Sequence, residues 1–276
     1  MAGGVPEAME SESGGPTGGR SGGLLEAVGR LTLGVLEFHG RCVTLLALTV
    51  RGLFRRPFDG RALATQVVRV GVDSLPVVLL TAVFTGAVLA LQIFTGFQRF
   101  HAEGYVGSVV ALAMLRELAP VLTGLMVTGR SGSAMAAEIG SMRVTEQIDA
   151  LVALATDPVQ YLFVPRVLAG IVVLPMLVVL ANALGVAGGY LVAVRLLGAN
   201  PVVYVESTFQ FLVLDDLTSG LIKSAVFGLL LTLIGCQQGF DTTGGAEGVG
   251  RATTTAVVLG SLAILVSDFF LTKVLF

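Results

Sequence analysis

The sequence lacks tryptophan altogether, contains two cysteines and two histidines, and has only 13% charged residues. A soluble globular domain carries about 25% charged residues, so the composition indicates a membrane protein. Cys42 and Cys236 lie far apart with no motif around either. We interpret both as small buried hydrophobic residues, which supports neither a disulfide nor a metal site. Without tryptophan, anchoring at the membrane interface falls to tyrosine, phenylalanine and arginine.

Recognisable metalloprotease and thiol-redox signatures are also missing, because the chain contains no HExxH and no CxxC. Gly245 and Gly250 have the spacing of a phosphate-binding loop, but Arg251 stands where lysine is needed and Ala252 where Ser or Thr would hold magnesium. We therefore predict no catalytic residue, no metal and no cofactor bound by this chain. The net charge of −2 gives no reason to expect nucleic acid as a partner.

Apolar sequence is abundant, with 54% hydrophobic residues and a mean hydropathy of +0.86. Since a membrane-spanning helix needs about 20 apolar residues, we predict an all-α, polytopic membrane protein with about five transmembrane helices. The predicted spans are residues 74–98, 107–133, 167–194, 217–237 and 252–276. More arginines fall between the spans on one side than on the other, which by the positive-inside rule places the N-terminus in the cytoplasm.

Two segments precede the first span. Residues 1–23 are rich in Gly, Ser, Pro and Glu and lack the apolar core of a signal peptide, so we predict a disordered tail. Residues 24–56 are predicted to form an amphipathic helix in the membrane interface, with packing against the protein or a partner as the alternative. Five arginines occur between positions 51 and 69. They indicate membrane topology, and lipid-headgroup binding is the alternative.

Four charged residues lie inside predicted spans: Arg116, Glu117, Lys223 and Asp268. Each costs about 2.5–3.5 kcal/mol at the centre of a transmembrane helix, so they should face one another or water. We predict a pair between Glu117 and Lys223 across the second and fourth spans. The group could be a polar lock or part of a substrate pathway. The alternatives are a structural bridge that fixes helix register, or a proton relay without histidine.

Residues 134–154 are predicted to form an amphipathic helix in the loop after the second span. Polar positions recur there at steps of three or four residues. They are Glu138, Ser141, Thr145 and Asp149. Arg143 can pair with Glu146, three residues further on. A loop helix patterned on both faces suits docking of a soluble partner, and a helix that only covers the cytoplasmic face of the bundle is the alternative.

Three stretches carry a resemblance to a known family. They are AMLRELAPVLTGLMVTGRSGSAMAAEIGSMRVTEQIDALVALATDPVQYLFVPRVLAG, GLIKSAVFG and GCQQGFDTTGGAEGVGRATTTAVV. They resemble the permease subunit of MCE-type lipid ABC transporters, the MlaE/YrbE family, which includes the chloroplast lipid permease. The similarity covers roughly residues 60–276 and implies a permease domain over residues 57–276.

The resemblance also implies partners. The permease would be a homodimer in the bacterial inner membrane and would move phospholipid or related lipids. Two copies of a separate cytoplasmic ABC ATPase would supply the energy and would hold the ATP and magnesium. An MCE-domain lipid-binding protein would sit on the outer face.

The same resemblance implies roles for residues of this sequence. The loop helix would be the coupling helix that docks the ATPase. Its residues would be Glu138, Gly140, Arg143, Glu146 and Asp149. The family's buried charges map onto Glu117, Lys223 and Asp268, with Arg116 beside them. The lipid cavity would lie between the two protomers, and its predicted wall residues are Leu89, Ile93 and Phe97.

Two other functions compete with a lipid ABC permease. An ion-coupled secondary transporter would use Glu117, Lys223 and Asp268 as its coupling site and would need no ATPase. Such transporters are often built from inverted repeats, which the sequence does not show. A membrane scaffold would transport nothing. The patterned loop helix favours the ABC permease.

Overall fold

The computed structural model describes residues 20–53 and 60–275, and within those ranges every regular element is a helix. The α-helices are α1 (Arg20–Leu53), α2 (Gly60–Val70), α3 (Leu75–Gln98), α4 (Val106–Ala113), α5 (Ala119–Val127), α6 (Ser133–Val144), α7 (Gln147–Ala153), α8 (Val164–Leu191), α9 (Pro201–Gln210), α10 (Leu214–Phe240) and α11 (Gly245–Leu275). π-Helical turns at Met114–Leu118 and Thr128–Gly132 join α4, α5 and α6 into one rod. The predicted all-α class is confirmed.

Five helical runs are long and apolar enough to cross a membrane, as predicted. They are Gly60–Gln98, Glu103–Val144, Val159–Leu196, Leu214–Phe240 and Gly245–Leu275. The second run is longer than predicted because nothing between Pro120 and Val144 interrupts the helix. Pro120 directly follows the π-helical turn Met114–Leu118, where the regular α-helical hydrogen bonding is already interrupted, so its missing N–H is accommodated.

The N-terminal helix α1 is 34 residues long. Residues 20–23, predicted as part of a disordered tail, belong to it, whereas residues 1–19 and 54–56 of the predicted segments lie outside the described part of the chain. The last turns of α1 pack on the membrane domain, since Thr49 is buried and a Cβ placed on Gly52 would lie 3.0 Å from a methyl group in the first turn of α8.

The third span is in backbone-to-backbone contact with both the first and the fourth span. A Cβ placed on Gly86 would lie 1.8 Å from the carbonyl oxygen of Gly185, and one placed on Gly228 would lie 2.2 Å from that of Gly170. Helices in lipid gain little from burying apolar side chains against each other, so their association depends on such close packing. These glycines hold α8 between α3 and α10.

Ion pairs and close contacts gather the starts of the first and third spans and the end of the second span at the same end of the bundle. The loop between α10 and α11 lies there too, because a Cβ on Gly140 would come 2.9 Å from Thr242 Oγ1. We call this the arginine-rich end. Its described arginines include Arg61, Arg69, Arg130, Arg143, Arg166 and Arg251. Helix α9 lies at the opposite end.

The glycine contacts make a direct prediction. Gly86→Ala should lower the free energy of unfolding by about 1–3 kcal/mol or more, because the new methyl group must push α3 away from α8. Thermal unfolding of the detergent-solubilised protein measures this. Gly96→Ala in the same helix is the control, since its Cβ has no atom within 4 Å. Equal stability of the two variants would contradict the packing described here.

Candidate functional site

A fully buried lysine lies at the meeting point of three spans. The side chain of Lys223, on α10, is 0% exposed. Its Nζ lies 2.8 Å from Glu117 Oε1 and 3.1 Å from Asp268 Oδ1. Glu117 comes from the second span and Asp268 from α11, so the structure brings together three of the four intramembrane charges and contains the expected Glu117–Lys223 contact.

Thr272 completes this group, and sequence reasoning missed it. Nζ of Lys223 donates to Thr272 Oγ1 at 2.7 Å. The threonine hydroxyl in turn has Glu117 Oε1 at 3.1 Å and the carbonyl oxygen of Asp268 at 2.8 Å as acceptors. The only available signal was its position one helical turn after Asp268. We call Glu117, Lys223, Asp268 and Thr272 the Lys223 cluster.

The π-helical turn Met114–Leu118 supplies Glu117 and also a main-chain acceptor. Nζ of Lys223 donates to the carbonyl oxygen of Arg116 at 3.1 Å. A π-turn leaves the regular hydrogen-bonding register of an α-helix, and such turns are frequent at functional sites. The local geometry therefore offers the lysine a carboxylate and a carbonyl from consecutive residues.

The side chain of Arg116 does not join the cluster, which corrects the predicted lock of four residues. Its Nη2 and Nε lie 2.5 and 2.6 Å from Asp216 Oδ1. Asp216 is buried, and its Oδ2 also accepts the backbone N–H of Val213 at 3.0 Å. Consecutive residues of a helical turn point in different directions around the helix axis, so Arg116 and Glu117 reach different partners. Asp216 was missed because it directly precedes the predicted fourth span, residues 217–237.

The Lys223 cluster holds two carboxylates and one ammonium group. Glu117 and Asp268 keep 38% and 20% of their side-chain surface exposed, whereas the lysine has none. A buried charge is tolerated only when it is paired and hydrogen-bonded. This lysine forms ion pairs with two carboxylates and donates hydrogen bonds to Thr272 and to the carbonyl oxygen of Arg116. The arrangement can fix the register of three spans, and its excess carboxylate could take up a proton or a cation.

Glu138 was predicted to face a soluble partner, but two arginines of the same chain bind it. Arg69 Nη1 and Arg166 Nη2 each lie 2.9 Å from one of its carboxylate oxygens. Gly140 is also buried, against Thr242. Both positions belong to the second span, which continues as a helix to Val144, and Glu138 keeps 41% of its side chain exposed whereas Gly140 is buried. Their role in coupling stays a prediction.

The element that does project is α7, a helix of seven residues. Glu146 adopts a left-handed conformation with φ 60° and separates α7 from α6, so the predicted continuous helix is wrong. The predicted pair of Arg143 with Glu146 is replaced by Arg143 Nη1 to Asp149 Oδ1 at 2.8 Å. Ile148 is buried and anchors α7, whereas Leu154, just beyond it, is 75% exposed.

A groove of about 580 Å³ runs along α3. Its walls include Leu80, Phe84, Val88, Leu89, Gln92 and Leu118. Of the three predicted cavity residues only Leu89 lines it. Ile93 and Phe97 pack against the core, because the groove covers residues 80–92 and Phe97 belongs to the last turn of α3.

The glycine-rich segment after α10 is not a phosphate-binding loop in conformation. Helix α11 begins at Gly245, so the segment up to Gly250 forms regular helical turns. Arg251 lies 3.6 Å from Glu247 on the same helix face. The described residues also contain no group of three or more His, Cys, Asp or Glu side chains that could hold a metal ion.

Known proteins are similar to this chain over most of its length. The profile of the family described as Permease MlaE matches residues 63–274. A probable ABC transporter permease protein of Rickettsia typhi is 46% identical over 253 residues, which cover 92% of this chain and 98% of that protein. The intermembrane phospholipid transport system permease protein MlaE of Haemophilus influenzae is 37% identical over 260 residues, covering 92% and 97%. The chloroplast protein TRIGALACTOSYLDIACYLGLYCEROL 1 of Arabidopsis thaliana is 42% identical over 211 residues, covering 76% and 60%.

Removal of the buried ammonium group should be costly. Lys223→Met leaves two carboxylates without their counter-ion and should lower the free energy of unfolding by about 3–5 kcal/mol. Thermal unfolding in detergent measures this, and the exposed Lys273→Met is the control on α11. Adding Glu117→Gln to Lys223→Met should recover part of the loss. A Lys223→Met protein as stable as the control would contradict the electrostatic role of the cluster.

Proposed function

This chain belongs to the MlaE permease family, and from that membership we propose that it is the transmembrane permease subunit of an ABC transporter that moves phospholipid or related lipids. It is a multi-pass membrane protein with five candidate spans. In this proposal the chain is not an enzyme. A separate cytoplasmic ATPase binds ATP and magnesium, and the permease converts the movement of that subunit into movement of lipid.

The observation that carries the proposal is the exposed helix α7. A docking helix must present side chains to a partner and must also be fixed to the spans it moves. Ile148 and the Arg143–Asp149 ion pair fix α7, while Val152 and Leu154 are exposed beside it. Exposed apolar side chains next to charged ones are typical of protein interfaces. We propose α7 as the centre of the coupling surface for the ATPase, while Glu138 and Gly140 on α6 are held by contacts within the chain.

The second span connects this surface to the membrane interior. A helical rod runs from Glu103 to Val144 and carries Glu117 of the Lys223 cluster in its first half. A partner that pulls on α7 therefore pulls on the span that forms the cluster. In the proposed mechanism, ATP-driven movement of α7 shifts this span and changes the cavity between two protomers.

The remaining assignments follow from the family and from charge. The arginine-rich end is assigned to the cytoplasm by the positive-inside rule, which places the N-terminus there too, in a bacterial inner membrane. The permease acts as a homodimer with two ATPase subunits, and an MCE-domain protein receives or delivers lipid at the opposite end. The apolar groove on α3 suits acyl chains, and we propose it as the part of the cavity that this chain supplies.

One observation favours a second candidate function. The Lys223 cluster has more carboxylate than ammonium groups inside the membrane, and intramembrane carboxylates often carry protons or cations. An ion-coupled secondary transporter would use Glu117 and Asp268 in this way. Such a transporter would not need α7 as a docking surface.

The docking role of α7 is tested by a substitution that introduces a single negative charge. Leu154→Asp should abolish co-purification of the ATPase, because a carboxylate cannot be desolvated in an apolar contact without a large cost. Leu196→Asp is the matched control, since Leu196 is also 75% exposed but lies at the opposite end. Quantitative mass spectrometry of the purified complex measures the ratio of subunits. Stoichiometric ATPase on the Leu154→Asp protein would refute docking at α7.

Lipid transport and its energy source are tested by reconstitution. The complex purified in mild detergent should contain phospholipid and an ATPase, and in proteoliposomes it should move fluorescent phospholipid only with ATP and magnesium. Lys223→Met and Glu117→Gln should change the rate of transport or of ATP hydrolysis. Transport driven by a proton or sodium gradient without ATP would instead establish the secondary transporter.

A further inference from the structure

A separate cavity of about 360 Å³ opens at the arginine-rich end between α2, α6 and the start of α8. It shares no lining residue with the groove on α3. Its polar walls are Arg61, Thr65, Gln66, Arg69, Glu138 and Arg166. The guanidinium groups of Arg69 and Arg166 alone outnumber the carboxylate of Glu138, so the cavity lining carries an excess of positive charge.

Arg166 gives this cavity an unmet hydrogen-bond donor. The residue is only 4% exposed. Its Nη1 donates to the carbonyl oxygen of Leu162 at 2.7 Å and its Nη2 pairs with Glu138 at 2.9 Å. Its Nε is buried and has no hydrogen-bond partner among the described residues. A buried N–H without an acceptor is energetically unfavourable, so an anion that supplies oxygen atoms to this site would be favoured.

Glu138 does not neutralise the cavity. Each of its two carboxylate oxygens contacts one guanidinium group, from Arg69 and from Arg166. A guanidinium has five N–H donors, and Arg69 remains half exposed, so it can also bind a second anion. Arg61, on the same side of the cavity, is exposed and adds a further positive charge.

The position of the cavity indicates a lipid rather than a soluble anion. Helix α2 begins the first candidate span, so the cavity lies where the membrane surface meets the bundle. Met142, Tyr161 and Leu162 line its apolar side, and the Tyr161 ring is half exposed there. Aromatic rings are enriched at the membrane interface, and basic pockets between spans on the cytoplasmic side bind anionic headgroups.

We propose that this cavity binds the phosphodiester headgroup of an anionic phospholipid, with Arg61, Arg69 and Arg166 as the cationic ligands. The bound lipid belongs to the leaflet at the arginine-rich end and remains at the outside of the bundle. This site is distinct from the proposed transport cavity. It depends only on insertion of the spans in a membrane, so it stands or falls separately from the ABC transporter assignment.

Because the chain contains no tryptophan, a single introduced tryptophan accounts for all of its tryptophan fluorescence. Tyr161→Trp places a single tryptophan at the cavity wall of the full chain. The protein is reconstituted in phosphatidylcholine vesicles, and its fluorescence is followed as phosphatidylglycerol with brominated acyl chains is added. Brominated phosphatidylcholine serves as the neutral reference. We expect phosphatidylglycerol to quench at a clearly lower mole fraction than phosphatidylcholine.

Two arginine variants in the Tyr161→Trp background locate the site. Arg61→Gln should raise the mole fraction of phosphatidylglycerol needed for half quenching about fivefold, which is the effect of one basic residue near a membrane surface. Arg251→Gln removes an exposed arginine at the same end but outside the cavity, and should change nothing. If Arg61→Gln does not fold, Gln66→Glu adds a negative charge to the same lining and should weaken quenching similarly.

Three results would overturn the proposal. Equal quenching by both brominated lipids would show that the cavity does not select anionic headgroups. An equal effect of Arg61→Gln and Arg251→Gln would show that the preference for phosphatidylglycerol comes from the general positive charge of the protein surface and not from the cavity. Reversal of the phosphatidylglycerol quenching by millimolar inorganic phosphate would assign the cavity to a soluble phosphate. None of these measurements uses ATP or a partner subunit.

Discussion

Contact between glycine backbones is the constraint on which the rest of this structure depends. The apolar side chains of a span lose no water when they meet another span inside lipid, so shape must replace the hydrophobic effect. Gly86 against Gly185 and Gly228 against Gly170 let α8 lie between α3 and α10 at backbone distance. That spacing sets where α10 lies and how far its side chains must reach. The polar contacts inside the membrane therefore depend on helix packing. They also favour the correct packing, since a shifted α10 would leave Lys223 without partners.

The buried charges attach the second span to α10 at two levels. Asp216 and Lys223 are seven residues apart on α10, which is about 10 Å along the helix axis. Their partners, Arg116 and Glu117, are consecutive residues in a π-helical turn. The long side chain of Arg116 reaches Asp216 and the shorter side chain of Glu117 reaches Lys223. Both ion pairs can therefore form only in one register of the two helices. Because breaking either pair leaves an uncompensated charge in the protein interior, a slip of this register is strongly disfavoured.

The sequence predicted the features that depend on long-range composition and missed those that depend on contacts. The five spans and the Glu117–Lys223 contact follow from apolar run length and from the cost of isolated charge. The partner of Arg116 did not follow, because Asp216 lies at a helix start that looked like a loop. Thr272 could not be identified from the sequence, since the hydroxyl of a threonine in an apolar helix usually donates to a backbone carbonyl of the same helix. The continuous helix from Ala134 to Leu154 was wrong because side-chain periodicity passes through a single residue, Glu146, whose left-handed backbone ends α6.

That break at Glu146 also decides what α7 can do. A continuous helix would have carried Leu154 straight out along the axis of the second span, free of the bundle. The reversal at Glu146 instead returns Ile148 to the core, so α7 is held at its start and exposed at its end. A force applied to the exposed end is then transferred to the bundle through Ile148 and through Arg143, which precedes the break. Under the proposed function this matters, because a docking helix that could swing freely would absorb the movement of its ATPase instead of passing it to the span that carries Glu117.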